Sequence, residues 1–243
     1  MKYMGSKARI AKQIVPIIQD RIDSSGYSIY IEPFVGGANV IDKISCINRI
    51  GCDKNKYLIA LFEKLKTDSN CLPSSVSREE YSRVRSNFDL YEDWYVGAVG
   101  FLASYNGRFF DGGYSGKVST PEGIVRDYYD ESKRNIERQI PYIENVRFKA
   151  VDYSLLNPMK SVVYCDPPYH NTKGYSNSDS FNHKKFWERV RVWSKDNIVM
   201  VSEEKAPEDF TCIWEQEVTR TIKLDKTKKS FERLFIFENI LGR

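Results

Sequence analysis

The chain has 243 residues, 41% of them hydrophobic and 29% charged, with a formal net charge of +4. That length holds one large α/β domain or a core domain with a sizeable insertion, and no run approaches the roughly 18 apolar residues a membrane span needs. Five scattered cysteines without a Cys-x-x-Cys pair, beside only two histidines, argue against a zinc site and a disulfide framework and for a reducing, cytoplasmic setting.

The basic start, Met1 to Lys7, leads into no apolar h-region and does not read as a signal peptide. Ile10, Ile14, Val15, Ile17, Ile18 and Ile22 space an amphipathic helix over 8–22, loosened near Pro16. Residues 27–31 are β-prone and run into Glu32, Pro33, Phe34, Val35, Gly36 and Gly37, after which a helix is expected to about Asn48. A short strand over 49–52 then ends at Asp53. Strand, glycine loop, helix, strand and acid, in this order, make the first half of a Rossmann-like unit.

From about 55 to 140 the texture changes. Residues 57–66, 78–88 and 94–103 read as helices, and 122–140 is helical and charged. Between them, the aromatic, glycine-rich stretch 104–116 carries turn signals at Asn106-Gly107 and Asp111-Gly112 and reads as a hairpin. No β-α-β alternation appears there, so 55–140 is expected to be an inserted unit, with 1–54 and 141–243 forming the core domain. Alternation resumes with strands over 146–150, 162–165 and 198–201 and a helix over 184–194. Three β-prone runs, 211–214, 218–223 and 234–239, fit an antiparallel edge. The fold class is therefore α/β, with a mixed, mostly parallel sheet.

The most informative segment is Val162 to Tyr169, an apolar run that ends in Asp166, Pro167, Pro168 and Tyr169. Each proline fixes φ and lacks an N–H, so its carbonyl is free to accept a bond outside any helix. A flat group bearing an amine fits such a corner: the ring on Tyr169, the NH₂ on Asp166 and the Pro167 carbonyl. A strand ending in a Pro-rich turn gives the same pattern without chemistry. The loop at 34–38 lacks the full G-x-G-x-x-G spacing, but Asp53 lies 17 residues beyond Gly36, near where an acid binds ribose hydroxyls. Asp152 follows its strand as Asp53 does. Ligands of open α/β sheets lie at the carboxyl ends of strands, so Phe34, Asp53, Asp152 and Asp166 can line one crevice. Basic clusters at Lys2–Lys12, Lys184–Arg191 and Lys223–Arg233 suit either phosphate contacts or a solvated face.

With these residues in place, the chain resembles the Dam-like (D12 class) adenine-specific DNA N6-methyltransferases, and most closely the phage-encoded ones. Tyr3, Met4, Gly5, Ser6 and Lys7 resemble the family's N-terminal aromatic-x-Gly-Gly-Lys motif. Glu32 to Gly37 resembles its cofactor loop, Asp53-Lys54-Asn55 its ribose-binding segment, and Val151-Asp152-Tyr153 the segment meeting the cofactor's adenine. Asp166-Pro167-Pro168-Tyr169 matches the catalytic motif unchanged. Tyr3 stands where the family usually has Trp, Ser6 replaces a glycine, and Ala38 a glycine or serine.

The resemblance implies a Rossmann-like methyltransferase fold, S-adenosylmethionine as cofactor with S-adenosylhomocysteine as product, no metal, and double-stranded DNA as partner. Oligomerisation as a monomer or weak dimer fits, in a bacterial or phage-infected cell, with restriction-modification among the roles. It assigns the cofactor to Tyr3, Met4, Gly5, Lys7, Glu32, Pro33, Phe34, Gly36, Gly37, Asp53, Lys54, Asp152 and Tyr153, with Asp166 in contact. Lys7 would pair with the cofactor's carboxylate. Asp166, Pro167, Pro168 and Tyr169 would be catalytic. Tyr105, Asn106, Arg108, Tyr114 and Lys173 would contact DNA, Arg108 at guanine O6/N7, with Tyr105, Phe109, Phe110 or Tyr114 as wedges. Two alternatives stay open on sequence: an RNA adenine or protein amide methyltransferase, and a non-catalytic DNA-binding protein on the same fold.

Overall fold

The computed structural model describes residues 1–119, 123–168, 181–223 and 226–237. Helix α1 (Ala11–Ser25) buries Ile14, Ile18 and Ile22 on one stripe and keeps Pro16 off it. It ends where Gly26 takes φ 68°, a left-handed turn open to glycine without strain. Strand β1 (Ile29–Glu32) follows, then β2 (Asn48–Asp53).

The helix expected between them is not there. Residues 33–47 form an irregular loop with one 3₁₀ turn at Ile41–Lys43. Gly36 and Ala38 sit at φ 46° and 56°, which a right-handed helix cannot include. The Asn39 amide donates instead to Ser6 Oγ at 2.8 Å. The apolar side chains of this stretch, Val35, Val40, Ile41 and Ile44, are buried by the loop directly.

Helix α2 (Lys56–Thr67) starts at Asn55, whose side chain accepts from Tyr57 N and Leu58 N at 3.0 and 3.2 Å. It lies against the sheet, where Phe62 stacks on Phe148 at 4.7 Å. Helices α3 (Arg78–Ser86) and α4 (Asp93–Leu102) come next. Gly97 of α4 allows close approach to α2: a Cβ there would lie 2.1 Å from the Tyr57 carbonyl oxygen. Strands β3 (Lys117–Ser119) and β4 (Val125–Asp127) form a separate antiparallel hairpin. The expected hairpin at 104–116 reduces to a single bridge, Ser104 to Tyr114. Phe109 and Phe110 explain the difference, because they turn inward onto Phe101, Phe88 and Tyr81 and fold the loop around them.

Helices α5 (Tyr128–Glu137) and α6 (Ile140–Ile143) return the chain to β5 (Val146–Ala150). Then come β6 (Val162–Cys165), α7 (His183–Trp193), β7 (Ile198–Glu203) and the long pair β8 (Thr211–Lys223) and β9 (Lys226–Ile236). The seven-stranded sheet runs β5-β2-β1-β6-β7-β9-β8. Its first five strands are parallel, and β9 enters antiparallel to both β7 and β8. The expected mixed, mostly parallel Rossmann-like sheet with an antiparallel edge is borne out.

Strand alternation sends Tyr30, Val162, Tyr164, Met200 and Leu234 into the core shared with α1, α2 and α4. Ile31, Val163, Cys165, Val199, Val201 and Phe235 go the other way, beneath Phe186, Trp187, Val190 and Trp193 of α7. Burying each such large side chain contributes about 1.5–3 kcal/mol. Between β1 and β6 the strand order reverses, and the parallel strands open their carboxyl ends on one edge. Among the described residues, no helix is long and apolar enough to cross a membrane.

Candidate active site

Parallel pairing fixes the first half of the site. Val35 N donates to the Cys52 carbonyl at 2.7 Å and Val151 N to the Asp53 carbonyl at 3.0 Å, so the turns after β1, β2 and β5 lie side by side. Asp53 accepts from Gly36 N at 3.2 Å and from Asn55 N at 2.9 Å. Burial pushes its pKa above the usual carboxylate range, against those backbone bonds. A carboxylate has about four acceptor directions, so Asp53 has capacity beyond the loop it organises. Lys54 is exposed beside it.

Phe34 stands at the head of an aromatic wall. Its ring centroid is 5.2 Å from Tyr153, 5.9 Å from Phe181 and 5.8 Å from Phe186. Asp152, next to Tyr153, caps the following turn by accepting from Ser154 N at 2.9 Å. Phe181 and Phe186 were not among the residues expected here; β-α packing distant in sequence places them. The donor set fits S-adenosylmethionine: a half-buried acid for a ribose diol, and apolar rings with an acid at their edge for an adenine.

The N-terminal segment closes the other side. Gly5, at φ 80°, allows the turn in which Ser6 N donates to the Tyr3 carbonyl at 3.1 Å. The Tyr3 ring stacks on Phe101 at 5.7 Å and covers Gly36, where a Cβ would come within 2.9 Å of it. Behind the loop, Gln139 donates to the Gly37 and Ala38 carbonyls at 3.1 and 2.9 Å. Gln139 belongs to no motif; it reaches the loop from about a hundred residues away.

Asp166 follows β6 directly, with Pro167 buried and Pro168 exposed. Lys7 comes to it from the turn before α1, 3.0 Å from Asp166 Oδ1 and 3.4 Å from Glu232 Oε2 of β9. Lys7, expected at a cofactor carboxylate, lies beside the Asp166 carboxylate. Burial raises Asp166 to about 6, Lys7 pulls it down, and Glu232 pushes it up. Deeper, Glu32 accepts from the Tyr30 hydroxyl at 2.8 Å, and burial lifts its carboxyl well above the usual range. Pro33 is buried at the start of the turn. Tyr169 and Lys173 lie outside the described residues.

The 104–116 loop meets this edge through the N-terminus. Gly107, at φ 64°, packs so that a Cβ would lie 2.4 Å from the Lys2 carbonyl oxygen, and Arg108 Nε donates to Met4 Sδ at 3.0 Å. Tyr105 is 54% exposed, and Asn106 and Arg108 are exposed with it. Tyr114 points elsewhere: its hydroxyl donates to the Val76 carbonyl at 2.7 Å and Arg78 covers its ring at 4.9 Å. Phe109 and Phe110 are packed among other rings, which leaves Tyr105 as the exposed ring of the four candidate wedges. Basic residues over 184–191 are partly structural, with Arg191 forked onto Asp209 at 2.5 and 2.7 Å and Arg189 on the Leu156 carbonyl at 3.2 Å.

A reversal of strand order flanked by a glycine turn, two strand-end acids and an acidic Pro-Pro corner is the ligand-binding edge of a Rossmann-like α/β protein. The model of the D12 class N6 adenine-specific DNA methyltransferases matches residues 3–199, and the chain belongs to that family. The type II methyltransferase M.FokI of Planomicrobium okeanokoites is 26% identical over 215 residues, 79% of this chain but 32% of that protein. M.MjaIII of Methanocaldococcus jannaschii is 25% identical, covering 76% of this chain and 74% of that one. A DNA adenine methylase of Salmonella typhi is 30% identical, over 64% of this chain and 61% of its own. Among solved structures, the rRNA methyltransferase AviRa of Streptomyces viridochromogenes aligns at TM-score 0.40 and 11% identity, covering 94% of this chain and 84% of that one.

Proposed function

We propose that the chain transfers a methyl group from S-adenosylmethionine to N6 of an adenine flipped out of duplex DNA. The observation that carries this reading is the Asp166-Pro167 corner at the carboxyl end of β6, one strand from the glycine loop after β1 and two from Asp53 at the end of β2. Asp53 holds the ribose, Asp152 and the Phe34–Tyr153 wall the adenine, and Tyr3, Gly36 and Gly37 shape the loop between them. Bound there, S-adenosylmethionine supplies an electrophilic methyl group and leaves as S-adenosylhomocysteine.

The target amine is stacked inside a duplex, so the base leaves the helix to react. Asp166 and the Pro167 carbonyl accept its two N–H bonds, which turns the nitrogen lone pair toward the methyl group. Tyr169 stacks on the ring in this reading. Once the N–C bond forms, the surplus amine proton passes to Asp166. Positioning and fixed charge supply most of the acceleration. Lys7 acts on Asp166, at 3.0 Å, in this scheme.

Tyr105, Asn106 and Arg108 meet the DNA, with Tyr105 as the wedge and Arg108 at a guanine edge. Their link to Met4 and Lys2 connects recognition to the segment that covers the cofactor loop. The described cysteines are unpaired, which supports a reducing bacterial cytoplasm, of a host or of a phage-infected cell. Incubation with tritium-labelled S-adenosylmethionine and either duplex DNA or RNA tests the reading. Label enters duplex DNA; label confined to RNA or protein overturns it.

A further inference from the structure

Glu232 has no place in the transfer chemistry described above, yet it is a carboxylate 9% exposed at the edge of the site. Its strand parity is that of Leu234, which points into the core, so β9 aims it inward. There it meets Lys7 at 3.4 Å, while Asp166 lies 3.0 Å from the same ammonium. Two carboxylates thus share one buried cation, and the three groups come from the turn before α1, the end of β6 and the antiparallel β9.

We propose that Glu232 is a positioning residue: it divides the Lys7 ammonium with Asp166 and so leaves the Asp166 carboxylate able to accept the substrate amine. This rests on the methyl-transfer reading above. An ammonium committed wholly to Asp166 would occupy its acceptor directions and drain its basicity. A general base serves best when its pKa lies near the working pH. Asp166 stands at about 6, and Glu232 is one of the causes that raise it. Among the described residues, Glu32 of β1 and Tyr164 and Cys165 of β6 also feel the Asp166 charge, and Ser202 of β7 hydrogen-bonds Tyr164 at 2.8 Å. Glu32 is held by Tyr30, and Tyr164 by Ser202. Among these acids, Glu232 is the one bound to the same cation as Asp166.

Glu232→Gln removes the competing charge at nearly constant shape. Both consequences, a lost negative neighbour and a Lys7 given over to Asp166, lower the Asp166 pKa. The acid limb of kcat/KM for DNA methylation, which reports the free enzyme, moves to lower pH. A move of about one unit raises the ionised fraction of Asp166 at pH 5 about five-fold. The Kd for S-adenosylmethionine stays within about two-fold of the parent, measured at the same binding conditions. Glu232→Asp keeps the charge one methylene further away and gives an intermediate limb. Carbon-13 NMR of the Asp166 and Glu232 carboxyls supplies a readout that needs neither turnover nor a variant: in the parent the two titrations are coupled, each carbon sensing the other's midpoint.

An acid limb that does not move in folded Glu232→Gln overturns the proposal, as do independent carboxyl titrations in the parent. Failure of the parent to methylate DNA would remove the functional reading instead. The NMR titration would then still decide whether the cation is shared.

Discussion

Asp166 is held in a place that costs stability, and replacing it shows how much. Its pKa rises from 3.8 to about 6 on folding, because burial outweighs the pull of Lys7. A raised carboxyl means that the folded state holds the proton more tightly than the unfolded chain. The penalty is absent below the unfolded value, grows as pH rises from 3.8 to about 6, and is complete above that. About two units correspond to about 3 kcal/mol at neutral pH. The side chain is 20% exposed, and solvent screening of that part leaves about 2 kcal/mol. Asp166→Asn, isosteric and neutral, recovers this, and for a chain of this size that raises Tm by roughly 4–8 °C. Thermal melts followed by circular dichroism at pH 7.5 and pH 4.5 measure it. The gain at pH 4.5 falls to about a third, because Asp166 of the parent is then already protonated when folded. A variant no more stable than the parent at pH 7.5, or equally stabilised at both pH values, refutes the reasoning. The same substitution lowers kcat by about 10²–10³, so function and stability oppose each other at this residue.

Other perturbations separate the parts of the site. Asp53→Ala weakens S-adenosylmethionine binding at least about ten-fold in calorimetric titration, the value of one charge-assisted hydrogen bond; in the parent, affinity falls on acidification sooner than an exposed aspartate would dictate, since burial holds Asp53 high. Gln139→Leu strands the Gly37 and Ala38 carbonyls, costs about 1–3 kcal/mol in urea unfolding, and raises the Kd for S-adenosylmethionine. Arg108→Ala weakens or relaxes site selection by about 1–3 kcal/mol in binding assays with single-base variants, and unchanged preference would remove the guanine contact. Tyr105→Ala reduces the fluorescence rise of 2-aminopurine at the target position, a direct readout of flipping; Tyr114→Phe leaves that rise intact, because its hydroxyl is spent on Val76.

The sheet was legible because its strands carry their own signal. Ile31, Val163 and Val199 lie in short β-branched runs, and each run ends in an acid or turn at the carboxyl edge. Asp53, Asp152 and Asp166 are readable for the same reason, since strand ends are where such a fold places ligands. The helix expected before Asn48 misled because its apolar residues have helical density, while the left-handed Gly36 and Ala38 break the backbone. In 104–116 the turn signals are real, but Phe109 and Phe110 pull the loop into the core, and the strands form one step later at Lys117–Ser119 and Val125–Asp127. Lys7 read as one of a basic cluster and, by resemblance, as a partner of the cofactor's carboxylate; only long-range packing shows it buried beside two acids. Glu232 did leave a trace, a carboxylate in the inward register of a strand with Leu234. Gln139 left none, since a glutamine between two helices looks like any other.

The central claim is that this site makes N6-methyladenine in DNA. Duplex DNA incubated with the chain and deuterated-methyl S-adenosylmethionine, digested to nucleosides and analysed by mass spectrometry, tests it most directly. The account predicts deuterated N6-methyl-2′-deoxyadenosine with the parent and none above background with Asp166→Ala, which still binds the cofactor. Label on cytosine, no label on DNA at all, or equal labelling by Asp166→Ala would contradict it.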